Sequence, residues 1–443
     1  MAYRNFIRWL LQLNRPVPNH SPAEIQAQVV ANYRWNFSVN VADGAFFWFG
    51  ASFISSTTIV PLFVNKLTDS PFLIGLVAVI AQGAFYAPQL LTAPYVERLP
   101  RKKPVVVNVG LLTERLPMLT LIVAAMLAGR YAPLALLLFF LGYAWHYIGA
   151  GMIAVAWQEM IARIFPVDRR GRYFGTSTFI GAGTGALAAS ASSWLLEHYA
   201  FPTNFVILFS IATVGIFLSW IFIALTREPV TPPEETGVNR HNYWGELPRI
   251  LRQDHNYRRF LVARLTLGLG NLGSGFVTVA AISKFAVRDG TVGQYTVVIL
   301  IGQTLSNLVL GLLADKYGHK RSLEIAALSA MAAAAIAWLA PGPNWYFLVF
   351  FLLGITFGGT VVSGLLIALE FSSPEKRPTY IGLTNSSVGL ISAIAPLLGA
   401  ALAKVSFDLL FGLACVINVV AFLLFHFRVL EPRDLEQKTA AEQ

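Results

Sequence analysis

Gly311-Leu-Leu-Ala-Asp315-Lys-Tyr-Gly318-His-Lys320-Arg321 closes one apolar run of this chain and opens the next. The runs on either side, 292–314 and 321–340, are mostly apolar. A helix of about 20 such residues crosses a hydrocarbon core of ~30 Å. The same turn occurs earlier. In register with it, Ala93-Pro-Tyr-Val-Glu97-Arg98-Leu-Pro100-Arg-Lys102-Lys103 separates the runs 72–96 and 105–128. Both copies read small residue, acid, then paired bases. A second match pairs Glu375-Lys-Arg377-Pro-Thr-Tyr380-Ile-Gly382 with Asp168-Arg-Arg170-Gly-Arg-Tyr173-Phe-Gly175. The chain therefore reads as two related halves, and internal repeats of this size in a membrane chain mark transporter folds.

Outward from these turns the pattern gives twelve spans, at 41–64, 72–96, 105–128, 133–158, 173–197, 203–226, 258–287, 292–314, 321–340, 345–370, 379–404 and 406–428. The composition is 56% hydrophobic and 13% charged over 443 residues, too apolar for an ordinary soluble protein. In lipid every backbone amide must be paired within its own segment, so the runs are helices. The reading is an all-α membrane protein: a cytoplasmic amphipathic segment over 1–40, six-helix bundles over 41–226 and 258–428, a central loop over 227–257 and a tail over 429–443.

The net charge of +10 does not call for nucleic acid, because of where the charges fall. Most of the 33 lysines and arginines sort to one side of the spans. Lys66, Arg130, Lys284, Arg288 and Lys404 fall on the other, and Arg115 and Arg264 fall inside spans. By the positive-inside rule both termini and the central loop are cytoplasmic, in a plasma (inner) membrane. The single cysteine, Cys415, rules out an intramolecular disulfide and a cysteine metal cluster. Ser21-Pro22-Ala23-Glu24 has the form of a helix start with a capping box, and Asp43-Gly44 suggests a bend further on. Within the central loop, Leu247, Ile250 and Leu251 stand at helical spacing.

Twelve spans, a six-plus-six split and the Gly311–Arg321 segment resemble the major facilitator superfamily, whose signature between spans eight and nine is Gly, Asp, Gly and paired bases, as at Gly311, Asp315, Gly318, Lys320 and Arg321. The resemblance covers roughly residues 35 to 428. The first-half copy departs from the signature, with Ala93 for Gly, Glu97 for Asp and Pro100 for the second Gly. The resemblance implies that Asp315 caps a neighbouring helix and pairs with cations, latching the cytoplasmic side. The expected network is Lys320, Arg321, Glu370 and Arg377 in the second half, and Glu97, Arg98, Glu159, Arg163 and Arg170 in the first.

Charges inside spans are costly, about 2.5–3.5 kcal/mol each on insertion scales, and mark functional sites. Glu114 and Arg115 lie about 15 Å past Pro104 in span three, and adjacent helical positions point in different directions. Asp43 and Arg264 enter spans one and seven at similar depth. Asp43, Glu114, Arg115 and Arg264 are the coupling candidates, with Glu114 or Asp43 taking up the proton. An aromatic and amide lining is expected from Trp48, Gln82, Tyr86, Gln89, Trp145, His146, Tyr147, Gln303, Asn307 and Asn385, with Gln89 and Asn307 in matching register. Gly181, Gly183, Gly185, Gly389 and Gly399 offer close helix approach. Drug/proton antiporters of the superfamily carry a Gly-Pro signature in span five, and here the proline is missing.

The resulting expectation is a secondary active transporter of a small organic solute, acting by alternating access as a monomer, with H⁺ rather than Na⁺ as the coupling ion. A drug-type efflux antiporter of the same fold, or a non-transporting sensor or lipid-handling protein, are the other readings. Neither a phosphate-cradling Gly-x-x-x-x-Gly-Lys-Ser/Thr nor a His-Glu-x-x-His occurs, so no enzyme, metal or cofactor is expected.

Overall fold

The computed structural model describes residues 2–18, 20–97, 99–166, 169–230, 248–371 and 377–433. All regular structure among them is helical. A short helix α1, Ala2–Leu10, precedes α2, Pro22–Ser52. Ser21 caps α2 through a complete capping box with Glu24, as the sequence indicates. At Asp43-Gly44, where the sequence suggests a bend, the helix is unbroken and α2 continues through it. Gly44 instead clears room for the Ser177 hydroxyl, 2.5 Å from where a β-carbon would stand. The first span breaks later, over Phe53–Thr58, before α3, Ile59–Leu67.

Span two is α4, Pro71–Val79, a π turn at Ile80–Ala84, and α5, Phe85–Glu97. Span three opens with two π turns, Val105–Val109 and Leu111–Arg115, and ends as α6, Met118–Leu127. Spans four to six are α7, Ala132–Ile164, α8, Arg170–His198, and α9, Thr203–Ala224. A helical stretch over 248–253 (α10) leads into α11, His255–Gly270, then a 3₁₀ turn at Asn271–Phe276 and α12, Val277–Phe285. The remaining spans are α13, Asp289–Tyr317, α14, His319–Leu339, α15, Trp345–Glu370, α16, Arg377–Val405, and α17, Phe407–Arg428. Eleven of these are long and apolar enough to cross a membrane by length and composition. The first span, shared by α2 and α3, makes twelve.

Packing divides the chain into one unit of residues 1–55 and 84–236 and another of 56–83 and 237–443. The boundaries differ from a cut at the central loop: α3 and α4 group with the second unit, where α4 packs on α16. There Thr58 and Thr296 share a hydroxyl hydrogen bond of 2.6 Å, and Lys66 pairs with Asp289 at 2.8 Å.

Within the first unit, α2 packs on α8 and α9, α7 on α5 and α6, and α6 on α9. In the second unit α11 packs on α16 and α17, α15 on α13 and α14, and α14 on α17. Each pair in one unit has its counterpart in the other, so the sequence repeat is also a repeat of packing. Glycines make the closest seams. A β-carbon at Gly302 would collide with the Phe351 carbonyl, and one at Gly354 with the Ile299 carbonyl, so α13 and α15 touch backbone to backbone. Gly149 and Gly151 do the same for α7 against the Thr113 and Phe85 carbonyls. Gly181 and Gly399 also meet neighbours closely, whereas nothing lies within 4 Å of a β-carbon at Gly183.

Large apolar side chains stay exposed in helical stripes, such as Leu134, Leu137, Leu141 and Ile148 on α7 and Leu409, Leu413, Val416, Val420 and Leu423 on α17. In water such stripes would drive association. Facing lipid tails they need no cover.

Candidate functional site

The ionisable residues of the first half gather inside the first unit. Asp43 on α2, Glu114 and Arg115 in span three and His146 on α7 are all more than nine-tenths buried. Ser219 on α9 donates its hydroxyl to Asp43 Oδ1 at 2.6 Å. Arg115 and Glu114 form an ion pair with each other. This differs from the expectation that neighbours in sequence point apart. The segment is a π turn, so the angle between consecutive side chains is smaller than in an α-helix, and both side chains are long enough to fold together.

The backbone ladder here runs by the wider Leu116 N–H to Leu111 carbonyl bond. The Glu114 carbonyl is met by His146 Nδ1 at 2.7 Å. A carbonyl only accepts, so Nδ1 carries the proton, which leaves Nε2 as the variable atom of the ring. Gly149, one turn along α7, lets α7 come close enough for this contact. A carboxylate, a hydroxyl, an internally neutralised ion pair and an imidazole of fixed tautomer are thus held among four elements with little water access.

The other candidates do not join this group. Trp48 packs its ring against Gly181, with Cδ1 2.5 Å from the notional β-carbon, and is 42% exposed. Trp145 belongs to the exposed stripe of Leu141 and Ile148, a different face of α7 from His146. Gln82 is exposed within the π turn, and Gln89 bonds back to the Phe85 carbonyl of its own helix. Tyr86 stacks edgewise on Phe85, and Tyr147 on Tyr143. In the second unit Asn307 has a buried amide oxygen without a partner among the described residues, and Gln303 and Asn385 are half-buried. Arg264 lies along α15, its Nε 3.1 Å from a β-carbon built on Gly364, so its side chain reaches sideways to span ten instead of extending only toward the surface.

At the basic ends of the spans, the side chains of Glu97, Asp315 and Arg377 and the whole of Arg98 lie outside the described residues, and so does Leu247. The described parts show a different pair of acids at the helix starts. Glu228 accepts from the backbone of Lys102 at 2.8 Å and Lys103 at 2.8 Å, at the start of span three. Glu431 accepts from the backbone of Lys320 at 2.9 Å, at the start of span nine. Its carboxyl fills the space where a side chain at Gly318 would stand, and Gly318 has φ +86°. An anion at a helix N-terminus is favoured by the unpaired N–H groups and the dipole. The signal lay in the sequence as Arg227-Glu228-Pro229 and Leu430-Glu431-Pro432, one Glu-Pro after each half.

The residues before these acids are clamped alike. Asn36 exchanges two hydrogen bonds with the backbone of Arg227, and Asn256 exchanges two with Leu430. Around the clamps, Lys102 bonds Glu159 at 2.8 Å, and Arg163 lies 4.0 Å from both Glu159 and Glu228. Arg170 reaches back to the Ala162 and Phe165 carbonyls. In the second unit Arg433 grips Glu370 at 2.6 and 2.7 Å, and Lys320 pairs with Glu324 at 3.7 Å. Arg321 lies over the Tyr317 ring at 4.9 Å. Among the described residues, nothing stands within 4 Å of a β-carbon at Gly311. Burial pushes the Lys102 ammonium below its ordinary pKa, with Glu159 opposing. Burial pushes the Glu228 carboxyl above its ordinary value, against the two backbone bonds it accepts.

The family model described as "Major Facilitator Superfamily" matches residues 43–282 and 260–443. An uncharacterized MFS-type transporter, YfkF, of Bacillus subtilis (strain 168) is 26% identical over 193 residues, 41% of this chain and 46% of that protein. A 3-(3-hydroxy-phenyl)propionate transporter of Escherichia coli (strain K12) is 30% identical over 167 residues, 36% of this chain and 40% of that protein. The match thus spans less than half the length of either relative. A mutant form of the nucleoside transporter NupG superposes with TM-score 0.67 at 14% identity, covering 88% of this chain and 99% of that one, which shows a shared fold.

Proposed function

Since the chain belongs to the Major Facilitator Superfamily, we propose that it carries a small organic solute across its membrane by alternating access, coupled to a proton held on Asp43. The buried Asp43–Ser219 pair beside the Glu114–Arg115 ion pair carries this reading. Glu114 has its counter-charge next door. Asp43 meets a hydroxyl, which can donate to the carboxylate or turn to accept from the acid, so its hydrogen bond survives either protonation state. A group buried in a membrane bundle that tolerates both states suits a coupling site. His146, with Nδ1 committed, holds the Glu114 carbonyl. Named homologues are transporters, one of them of an aromatic carboxylic acid, which makes such acids the first solutes to try.

Purified protein in proteoliposomes is expected to accumulate its solute only under a pH gradient. Asp43→Asn is expected to abolish accumulation while sparing counterflow exchange, with Glu114→Gln milder. Gradient-driven uptake unchanged in Asp43→Asn rejects the coupling role. We place both termini and the 227–257 loop in the cytoplasm on the charge asymmetry. Cys415 is the single cysteine, so single-cysteine variants on a Cys415→Ser background test this directly. A cysteine in that loop is expected to resist an impermeant maleimide in intact cells, and labelling there refutes the orientation.

A further inference from the structure

The N-terminal helix α1 carries two apolar faces, and the protein covers one of them. Leu11, just past its end, packs with the cluster of Val105, Val106, Met160 and Tyr173. Asn108 donates to the Leu10 carbonyl at 2.7 Å, and Arg101 donates to the Pro16 carbonyl at 2.6 Å. Span three begins at Val105, so a helix end bonded to Asn108 sits at the membrane boundary. The second face is bare. Phe6 and Trp9, one turn apart on α1, are 50% and 68% exposed with their rings stacked at 6.1 Å, and Leu13, past the helix end, is 39% exposed. Arg8 and Arg15, close in sequence to these side chains, are exposed.

We propose that α1 docks on anionic phospholipid in the leaflet at the basic end of the bundle and transmits that contact to the start of span three. The rings enter the interface, where Trp and other aromatic residues settle, and the two arginines take the headgroup phosphates. The position at the membrane boundary and the charge of the flanking residues select the bilayer as the surface that covers this edge. Asn108 and Arg101 are the mechanical link, because both attach the α1 segment to the turn that Glu228 holds through Lys102 and Lys103. The proposal rests on the membrane reading of the chain and needs no transported solute.

The test uses full-length protein in nanodiscs of phosphatidylcholine with or without phosphatidylglycerol, the acyl chains brominated. Quenching of Trp9, taken as the difference between the parent and Trp9→Phe, is expected to be about twofold greater with the anionic lipid and to fall at high salt. Phosphatidylglycerol is expected to raise the thermal midpoint, and Arg8→Gln with Arg15→Gln to remove most of that rise. Asn108→Ala with Arg101→Gln should keep the quenching and lose the rise. Equal quenching in both lipids, no quenching in either, or a midpoint rise that survives the double arginine change overturns the proposal. So does a rise that survives the Asn108 and Arg101 changes, since it removes the link.

Discussion

Gly318 and Gly311 belong to the same short signature, yet the structure asks different things of them. Gly318 has φ +86° and ψ 159°, a region that side-chain-bearing residues enter at a cost of about 1–3 kcal/mol. Its missing side chain is also the seat of the Glu431 carboxyl. Gly311 has open space around it. Gly318→Ala is therefore expected to cost stability in that range or beyond, read as a lower unfolding midpoint in detergent, while Gly311→Ala leaves the midpoint unchanged. Equal midpoints for the two variants would contradict the assignment. A sequence pattern shows that both glycines belong to the motif, but not which one is conformational, because φ is set by the cap that follows. Asp43 and Glu114 were legible as buried charges from the cost of placing a charge in lipid. Ser219 as the partner of Asp43 was not, since a serine in an apolar run carries no mark of its contact.

Among the elements, the starts of spans three and nine are built on the same device, an acid delivered from beyond the last span of each half. Glu228 lies outside the membrane segment, and its carboxyl pKa is raised above the ordinary 4.5, burial being the main cause. Between pH 4.5 and that raised value the folded protein keeps a proton that the unfolded chain has released. Stability therefore falls as pH rises through this window and levels off above it. Glu228→Gln removes the titration. Its midpoint relative to the parent is expected to climb from pH 4.5 toward neutrality. A flat difference across that range would show that Glu228 ionises normally. Most element boundaries could be read from hydropathy: the run 345–370 corresponds to α15, Trp345–Glu370. The π turns of spans two and three could not, because Val105–Val109 is as apolar as any α-helical turn. Two of them meet α7 at its glycines, Gly149 against the Thr113 carbonyl and Gly151 against the Phe85 and Ala84 carbonyls, contacts between residues far apart in sequence that hydropathy does not encode.

At the scale of the whole molecule, duplication is the organising fact. The Asn36–Arg227 and Asn256–Leu430 clamps tie the first span of each half to the segment after its last. Each clamp closes a six-span circuit with two hydrogen bonds, so Asn36→Ala and Asn256→Ala are each expected to cost roughly 1–3 kcal/mol, seen as similar midpoint losses. A loss confined to one of them would mean that the halves are not held alike. The repeated Asp/Glu and paired-base turns revealed the duplication from sequence, whereas the clamps did not show, because Asn36 and Asn256 sit in unlike surroundings, Trp35-Asn36-Phe37 and His255-Asn256-Tyr257.

The glycine seams limit how such a molecule can deform. Where α13 meets α15 through Gly302 and Gly354, the mainchain of one helix is notched into that of the other. Sliding by a single residue would drive a side chain into a carbonyl, so gradual slip along this line is blocked. The two helices then travel as one rigid plank, and on the alternating-access proposal the motion that exposes a solute to opposite sides is taken up at joints elsewhere.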